Sequence, residues 1–89
     1  MRTIRRTSQF KKDVKRMKRR GKDFAKFKTV IEKLVSRQHL EPHFQDHELI
    51  GQYKGTRECH IEPDWLLIYE RTEQDIILVR TGTHVELFK

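Results

Sequence analysis

The fold of this chain is decided by residues 57–70, which read RECHIEPDWLLIYE. Two segments of this stretch, residues 57–61 and 65–70, flank the pair Pro63-Asp64. A Pro-Asp pair suits the centre of a type I turn, because proline fixes the backbone angle that the turn requires. The stretch therefore predicts two antiparallel strands joined by a short turn.

The turn also predicts which side chains share a face of this hairpin. Side chains alternate between the two faces along each strand, so the register divides them into two groups. One predicted group contains Cys59, Ile61, Leu66 and Ile68, and the other contains Glu58, His60, Leu67 and Tyr69.

Upstream of the hairpin, the apolar pattern is that of helices. Phe10, Val14 and Met17 recur at i, i+4 and i+7 after Ser8, which fits a helix N-cap. Gly21 is well placed to end this helix. A second helix follows with a fuller apolar face, formed by Phe24, Phe27, Val30, Ile31, Leu34 and Val35. Two such helices joined by a tight turn predict a helical hairpin.

The remaining segments predict further strands. Residues 3–6 are short and Arg-rich, as is typical of an edge strand. Pro42 ends the helical region, residues 45–49 fit a short strand, and residues 76–80 fit another. The result is an α+β fold of order β-α-α-β-β-β, with the N-terminal strand and helical hairpin packed on one face of an antiparallel sheet.

The length of 89 residues predicts a single domain spanning residues 1–89. Lys and Arg number 20 against 13 acidic residues, and the net charge of +7 suits a polyanion such as nucleic acid, an anionic membrane or an acidic protein. No apolar run approaches the roughly 20 residues of a spanning helix. The first six residues lack the apolar core of a signal peptide. Cys59 is the only cysteine and predicts a buried hydrophobe, so a reducing cytoplasm fits.

Five side chains suited to phosphodiester cleavage lie on two short segments of the predicted sheet: His60, Asp64, Trp65, Arg80 and His84. Imidazoles and carboxylates transfer protons, a guanidinium binds phosphate in a bidentate fork, and an indole stacks on a base. An arginine after the run Ile-Ile-Leu-Val is costly to bury unless it meets an anion. The segment preceding His84, residues 81–83, is expected to be flexible. The spacing alone fits either a site or a polar open sheet face.

The histidines at four-residue spacing, His39, His43 and His47, raise the possibility of a metal site. Pro42 interrupts the helix that would place all three on one face, and no cysteine lies nearby. We therefore expect no metal and no cofactor, with His39 and His43 as solvated loop residues. For His47 the pattern also fits a surface or partner-facing histidine.

The first predicted helix and the turn after it carry most of the excess positive charge. Such a run is commonly a solvated helix face, and it also suits contact with an RNA backbone. Nothing in it predicts recognition of base sequence. The residues are Lys11, Lys12, Lys15, Arg16, Lys18, Arg19, Arg20 and Lys22.

Several blocks of this chain resemble the YafQ branch of the RelE/ParE toxin superfamily. The two most specific are His-Ile-Glu-Pro-Asp-Trp at residues 60–65 and Arg-Thr-Gly-Thr-His at residues 80–84. The resemblance spans the whole chain. Its other blocks are FKKD at 10–13, DHELIG at 46–51, YKG at 53–55, LLIY at 66–69 and LF at 87–88.

This resemblance implies a RelE-like fold and an mRNA-cleaving toxin of a type II toxin–antitoxin pair. Members of the family cut mRNA in the ribosomal A site and are held inactive by a cognate antitoxin, DinJ-like for this branch, which also binds operator DNA. The ribosome, mRNA and antitoxin are therefore the expected partners, with operator DNA contacted only through the antitoxin. The family's catalytic residues match His47, His60, Asp64 and His84, and its substrate-positioning residues match Trp65, Arg80 and Phe88.

The expected chemistry is metal-independent attack of the ribose 2′-OH on the adjacent phosphate. Asp64 or His60 would act as base, His84 as acid and Arg80 as phosphate clamp, with His47 assisting; the sequence does not order base and acid. Two alternatives remain open at this point. One is a ParE-like gyrase inhibitor of the same fold, and the other is a non-catalytic module that binds RNA or the ribosome.

Overall fold

The computed structural model describes residues 1–88. None of its helices has the length and apolar character needed to span a bilayer. Short 3-10 turns at Pro42–Phe44 and Gly51–Tyr53 lie on either side of the second strand. The helices and strands follow the order β1 (Thr3–Arg6), α1 (Ser8–Arg19), α2 (Phe24–Val35), β2 (His47–Glu48), β3 (Arg57–Glu62), β4 (Trp65–Arg71), β5 (Asp75–Gly82) and α3 (His84–Phe88).

The five strands form one sheet of order β1-β5-β4-β3-β2. The strands β2 to β5 are antiparallel to their neighbours, and β1 runs parallel to β5 at the edge. Helices α1 and α2 cover one face, so the predicted α+β architecture is confirmed. Three details differ from the prediction. β1 is part of the sheet and parallel to β5, rather than packed on one face of an antiparallel sheet. β2 is shorter than residues 45–49, and α3 was not predicted.

The predicted register of the β3–β4 hairpin is wrong by one residue. Glu62 pairs with Trp65 across the turn, as predicted, but His60 pairs with Leu66, which leaves Ile61 as an extra residue in a β-bulge. A shift of one residue moves every later side chain to the opposite face. The helix-covered face therefore carries Cys59, Ile61, Trp65, Leu67 and Tyr69, and the opposite face carries Glu58, His60, Leu66 and Ile68.

The helix-covered core is rich in aromatic rings. The Trp65 ring lies 5.1 Å from the Phe24 ring in an edge-on arrangement and stacks on Phe27 at 6.1 Å. Phe10 of α1 contacts the same cluster through Phe27. Cys59 is fully buried here, as predicted, and burial raises the pKa of its thiol.

The ends of α1 are fixed by local hydrogen bonds. The N-cap is Thr7 rather than the predicted Ser8, because the Thr7 hydroxyl accepts a hydrogen bond from the Phe10 N–H at 3.0 Å. At the other end Gly21 has a φ of +75°, a conformation that glycine adopts without strain. Gly21 therefore follows the helix as predicted, and Asp23 caps α2.

The opposite face of the sheet is only partly covered. Leu87 of α3 packs on Leu66 and Ile68, with Tyr53 and Val79 at the margin. This contact anchors α3 on the same face that carries His60. The first residue of α3 is His84.

Candidate active site

The site is built around two histidines, and each imidazole lies against a carboxylate. His60 on β3 and His84 on α3 have ring centroids 5.5 Å apart, with the rings nearly perpendicular. His60 Nε2 lies 3.0 Å from a carboxylate oxygen of Glu58, and His84 Nδ1 lies 2.7 Å from one of Asp64. A carboxylate partner on one ring nitrogen fixes the orientation of the ring and directs its other nitrogen outward.

Asp64 holds His84 through two hydrogen bonds. One carboxylate oxygen accepts both the His84 ring N–H and its backbone N–H, the latter at 3.0 Å. These bonds hold the pKa of Asp64 below its usual range, so the carboxylate stays ionised at neutral pH. His84 Nε2 has no hydrogen-bond partner within residues 1–88 and is free to exchange a proton with a substrate.

His60 is held in the same manner by Glu58, its neighbour two residues earlier on the same face. Glu58 is 5% exposed, so its carboxylate is fixed among packed side chains. Within the described chain, His60 Nδ1 has no hydrogen-bond partner. His60 and His84 therefore each present one nitrogen to the same surface.

The segment that leads to His84 is ordered, contrary to the prediction. The buried Thr81 hydroxyl accepts the Trp65 indole N–H at 2.9 Å and donates to the Leu66 carbonyl at 2.7 Å. Thr83 and Glu86 then form a capping box at the start of α3: each side chain bonds the backbone N–H of the other residue, at 3.0 and 3.3 Å.

Arg80 lies on β5 and is held by an internal anion. Its Nε and Nη2 donate to the two carboxylate oxygens of the fully buried Asp13 at 2.7 and 3.2 Å, and its Nη1 lies 3.5 Å from the Tyr53 hydroxyl. The guanidinium is thus fixed in orientation, and within residues 1–88 the Tyr53 hydroxyl is the only partner of Nη1, so the second N–H of Nη1 has no partner of its own.

Phe88 and His47 lie at the margin of the site. The Phe88 ring is 44% exposed and meets the Tyr53 ring edge-on at 5.6 Å. His47 is exposed, its Nδ1 lies 2.8 Å from the Gln45 carbonyl, and it pairs with Glu58 in the β2–β3 ladder. Residues paired across antiparallel strands point to the same face, so His47 shares the face of His60.

Trp65 is the predicted residue that the structure does not bring to this surface. Its ring is fully buried among the helices, and its indole N–H is bonded to Thr81. No ring face is left for a nucleotide, so we revise its predicted substrate-stacking role. Trp65 supports the segment that precedes His84.

Four residues of this arrangement were not selected from the sequence: Asp13, Tyr53, Glu58 and Glu86. Two of them could have been identified from their spacing in the sequence. Glu58 precedes His60 by two residues on the same predicted face, and Glu86 follows Thr83 at capping-box spacing. The pairing of Asp13 with Arg80 joins residues far apart in sequence, and no local pattern predicts it.

An open cavity of about 390 Å³ adjoins His60 on the side away from Arg80's strand. One wall is the hairpin turn and the other is the loop after the 3-10 turn that contains Pro42. The cavity lies next to His60, and His84 is not among its lining residues. Its lining residues are His43, Gln45, His60, Ile61, Glu62 and Pro63.

The same imidazole pair has the composition of a metal site. One ligand atom from each of Glu58, His60 and His84 lies within 4.8 Å of the others. Imidazole and carboxylate together suit zinc or copper, which bind such ligands at about 2.0–2.2 Å. The histidines considered from the sequence as a possible metal site, His39, His43 and His47, are spread over a loop, a 3-10 turn and β2 and form no such cluster among the described residues.

Known proteins resemble this chain over its whole length. It is 42% identical to the mRNA interferase toxin YafQ of Escherichia coli K12 over 88 residues, which cover 98% of this chain and 96% of that protein. YafQ in the E. coli DinJ–YafQ complex superposes with a TM-score of 0.92 at 41% identity, with both chains fully covered. A metal-bound toxin from Helicobacter pylori superposes with a TM-score of 0.91 at 41% identity, covering 99% of this chain and all of that one.

The family model for YafQ, described as a bacterial toxin of a type II toxin–antitoxin system, matches residues 2–89. That range includes every residue of the site, from Asp13 of α1 to Phe88 of α3. Family model, sequence identity and fold agree, and the chain therefore belongs to the YafQ family of type II toxin–antitoxin toxins.

Proposed function

We propose that this chain is an mRNA interferase that cleaves mRNA in the ribosomal A site without a metal ion. The observation that carries the proposal is the pair of imidazoles, His60 and His84, each oriented by its own carboxylate. Two oriented imidazoles on one surface supply a base and an acid for a single phosphodiester. The name of the E. coli relative, mRNA interferase toxin, supports the substrate class.

The reaction proceeds by attack of the ribose 2′ oxygen on the adjacent phosphorus. His60 Nδ1 takes the 2′-OH proton as the new P–O2′ bond forms. The P–O5′ bond then breaks, and His84 Nε2–H gives its proton to the departing 5′ oxygen. The products are a 2′,3′-cyclic phosphate and a 5′-OH end.

Asp64 is better suited to orient His84 than to act as the base. One of its oxygens already accepts two N–H groups of His84, and its lowered pKa makes it a weak proton acceptor. Arg80 stabilises the charge that develops on the phosphate through its Nη1 edge. Phe88 packs beside a nucleotide, and His47 assists from the edge of the same face.

The partner that restrains this activity is a DinJ-like antitoxin. The DinJ–YafQ complex of E. coli supports this assignment, since its YafQ chain has the same fold. Operator DNA is contacted through the antitoxin. The basic surface of α1 suits contact with ribosomal RNA, because it carries phosphate-binding cations and no base-reading pattern. The toxin then acts in the cytoplasm, where the ribosomes are.

The test is end mapping of mRNA incubated with ribosomes and purified toxin. We expect new 5′-OH ends at A-site positions and matching 2′,3′-cyclic phosphates upstream. Ribosome binding without new ends would favour a non-catalytic module. Inhibition of gyrase supercoiling without RNA cleavage would favour the ParE-like alternative. A reaction without ribosomes measures how far cleavage depends on them.

Removal of transition metals should leave cleavage unchanged. Toxin dialysed against EDTA, then assayed with Mg²⁺-supplied ribosomes and a zinc- and copper-selective chelator, should cleave at the untreated rate. Added Zn²⁺ should inhibit, because an ion bound to Glu58, His60 and His84 would hold the two imidazoles that transfer protons in the proposed reaction. Activity that disappears on dialysis and returns with Zn²⁺ would place the metal in the reaction and contradict the mechanism.

A further inference from the structure

The helix that carries His84 is too short to be stable by itself. It has five residues, and isolated helices below about 12–15 residues are marginal in water. The position of the His84 ring therefore depends on what holds α3 to the rest of the protein. Leu87 packs on the sheet, and the Tyr53 hydroxyl donates to the Leu87 carbonyl at 3.2 Å. These contacts hold the end of α3, away from His84.

The start of α3 is held by Glu86. Its Oε1 accepts the Thr83 N–H at 3.0 Å, which caps the helix one residue before His84. The same carboxylate receives both terminal nitrogens of Arg20 at 2.9 and 2.6 Å, and Arg16 Nε lies 2.8 Å from Oε2. Glu86 thereby joins the residue that precedes His84 to two cations of the α1 region.

Arg16 also connects the Glu86 ion pair to the Asp13 carboxylate, which binds Arg80. Arg16 Nη1 lies 3.1 Å from the Asp13 carboxylate that binds Arg80, and Arg16 Nη2 donates to the Thr81 carbonyl at 3.2 Å. A single network therefore runs from the guanidinium of Arg80 through Asp13 and Arg16 to Glu86. Arg80, the proposed phosphate clamp, and His84, the proposed general acid, are therefore both positioned by side chains of the α1 region.

Gly82 makes the close approach of this network possible. A Cβ atom at this position would lie 2.9 Å from Arg16 Nη2 and 3.0 Å from Glu86 Oε1. The hydrogen bond from Arg20, then the one from the Thr83 N–H and the positive charge of Arg16, outweigh burial and lower the pKa of Glu86 to about 2. The carboxylate stays ionised over the whole pH range of an RNA cleavage assay, so any pH dependence of that assay arises elsewhere.

We propose that Glu86 is a positioning residue for catalysis: by docking the start of α3 on Arg16 and Arg20, it sets His84 Nε2 relative to Arg80. The proposal rests on the proposed RNA cleavage, in which His84 is the general acid. Small displacements of a catalytic group are costly, since about 1 Å can reduce the rate roughly a hundredfold. Here α3 keeps its Leu87 contacts, so a smaller loss is expected.

Glu86→Ala should lower kcat by about tenfold without raising KM. Loss of the carboxylate leaves Arg20 without its ion-pair partner, while Arg16 keeps its contact with Asp13. The surface becomes more positive, so binding of ribosome and RNA should be unchanged or tighter. Glu86→Gln should lose less, because the amide oxygen can still cap the Thr83 N–H while the ionic contacts are weakened. Kinetics of A-site cleavage with wild type, Glu86→Ala and Glu86→Gln measure this order.

A modified substrate distinguishes a displaced His84 from a general loss of structure or activity in the variant. In mRNA with a sulfur in place of the bridging 5′ oxygen at the scissile bond, the leaving group needs no proton, so an acid-specific defect should largely disappear. We expect the Glu86→Ala loss to fall to within about twofold of wild type on this substrate, because it acts through the acid step. Equal losses on both substrates would contradict the proposal.

Two controls complete the experiment. Glu73→Ala removes a carboxylate that pairs with Arg37 at 3.3 Å on the surface, and it should leave cleavage unchanged on both substrates. Glu86→Ala in a His84→Ala background should add little further loss, because residues that act through one step are not additive. If the wild-type toxin does not cleave mRNA, the proposed function itself is refuted. If the wild type cleaves and Glu86→Ala cleaves equally well, only the role of Glu86 is refuted.

Discussion

Replacing His84 with alanine should reduce A-site cleavage by about a hundredfold or more while the protein remains folded. His84 is half-exposed, and its ring contacts Asp64 and His60 at the surface, so the core does not depend on it. In the proposed mechanism, the substitution removes the proton donor for the 5′ oxygen. The loss should therefore appear in kcat, with little change in KM.

The measurement is single-turnover cleavage on programmed ribosomes, compared with circular dichroism and thermal unfolding of the same preparations. His39→Ala is the matched control, because His39 is an exposed loop histidine remote from the imidazole pair, and it should cleave as wild type does. The bridging 5′-thio substrate should restore most of the activity of His84→Ala. A folded His84→Ala protein that cleaves oxygen-bridged mRNA at the wild-type rate would remove His84 from the mechanism.

The largest loss of stability should come from Asp13→Ala, which we expect to lower the free energy of unfolding by about 3–5 kcal/mol. The Asp13 carboxylate is fully buried and accepts hydrogen bonds from the Arg80 side chain and the Thr81 backbone N–H, and it forms an ion pair with Arg16. Its removal leaves the buried Thr81 N–H without an acceptor and the partly exposed Arg80 guanidinium without its anion. Unpaired groups of this kind cost more than the intact pair contributes.

The measurement for Asp13 is urea unfolding of wild type, Asp13→Ala and Asp13→Asn. Asp23→Ala is the control, because it removes an exposed helix cap and should cost only about 1 kcal/mol. If Asp13→Ala does not fold, Asp13→Asn should fold with a smaller loss, since the amide still accepts hydrogen bonds. Losses equal to that of the Asp23 control would contradict the role assigned to this carboxylate.

The pH dependence of this stability has a defined sign. Burial acts to raise the pKa of Asp13, but hydrogen bonds from Arg80, Thr81 and Gln9 outweigh it, and the pKa lies below its usual range. A carboxyl with a depressed pKa stabilises the folded state fully above its unfolded pKa, about 3.9, and loses that contribution as the pH falls through the lower folded value. The stability gap between wild type and Asp13→Ala should therefore be constant near neutrality and narrow below about pH 4.

Local patterns predicted most elements of this fold, and non-local packing set the details that they missed. The periodicity of Phe10, Val14 and Met17 and the Pro63-Asp64 turn identified α1 and the hairpin. The bulge at Ile61 could not be read from the turn, because burial of Trp65 and the neighbouring strand side chains in the core determines the register. Five residues are also too few for α3 to show a helical period.

The sequence predicted which residue types form the candidate site better than it predicted what each side chain contacts. Arg80 does contact an anion, as the cost of burying a guanidinium predicts. That anion is the carboxylate of Asp13 in the same chain, from a segment far away in sequence. Trp65 was predicted to stack on a nucleotide because of its large ring. The hydrophobicity of that ring instead favours its burial in the core. The pairing of His60 with Glu58 was accessible in principle from their i, i+2 spacing on one strand.

The pairing of β1 with β5 bears on how the toxin is made. Among residues 1–88, β5 is the only strand that pairs with β1, and His84 lies just beyond β5 in the chain. The sheet therefore cannot close before β5 has been synthesised, and the imidazole pair of His60 and His84 cannot form before residue 84. A shorter nascent chain lacks one of the two imidazoles on which the proposed cleavage depends.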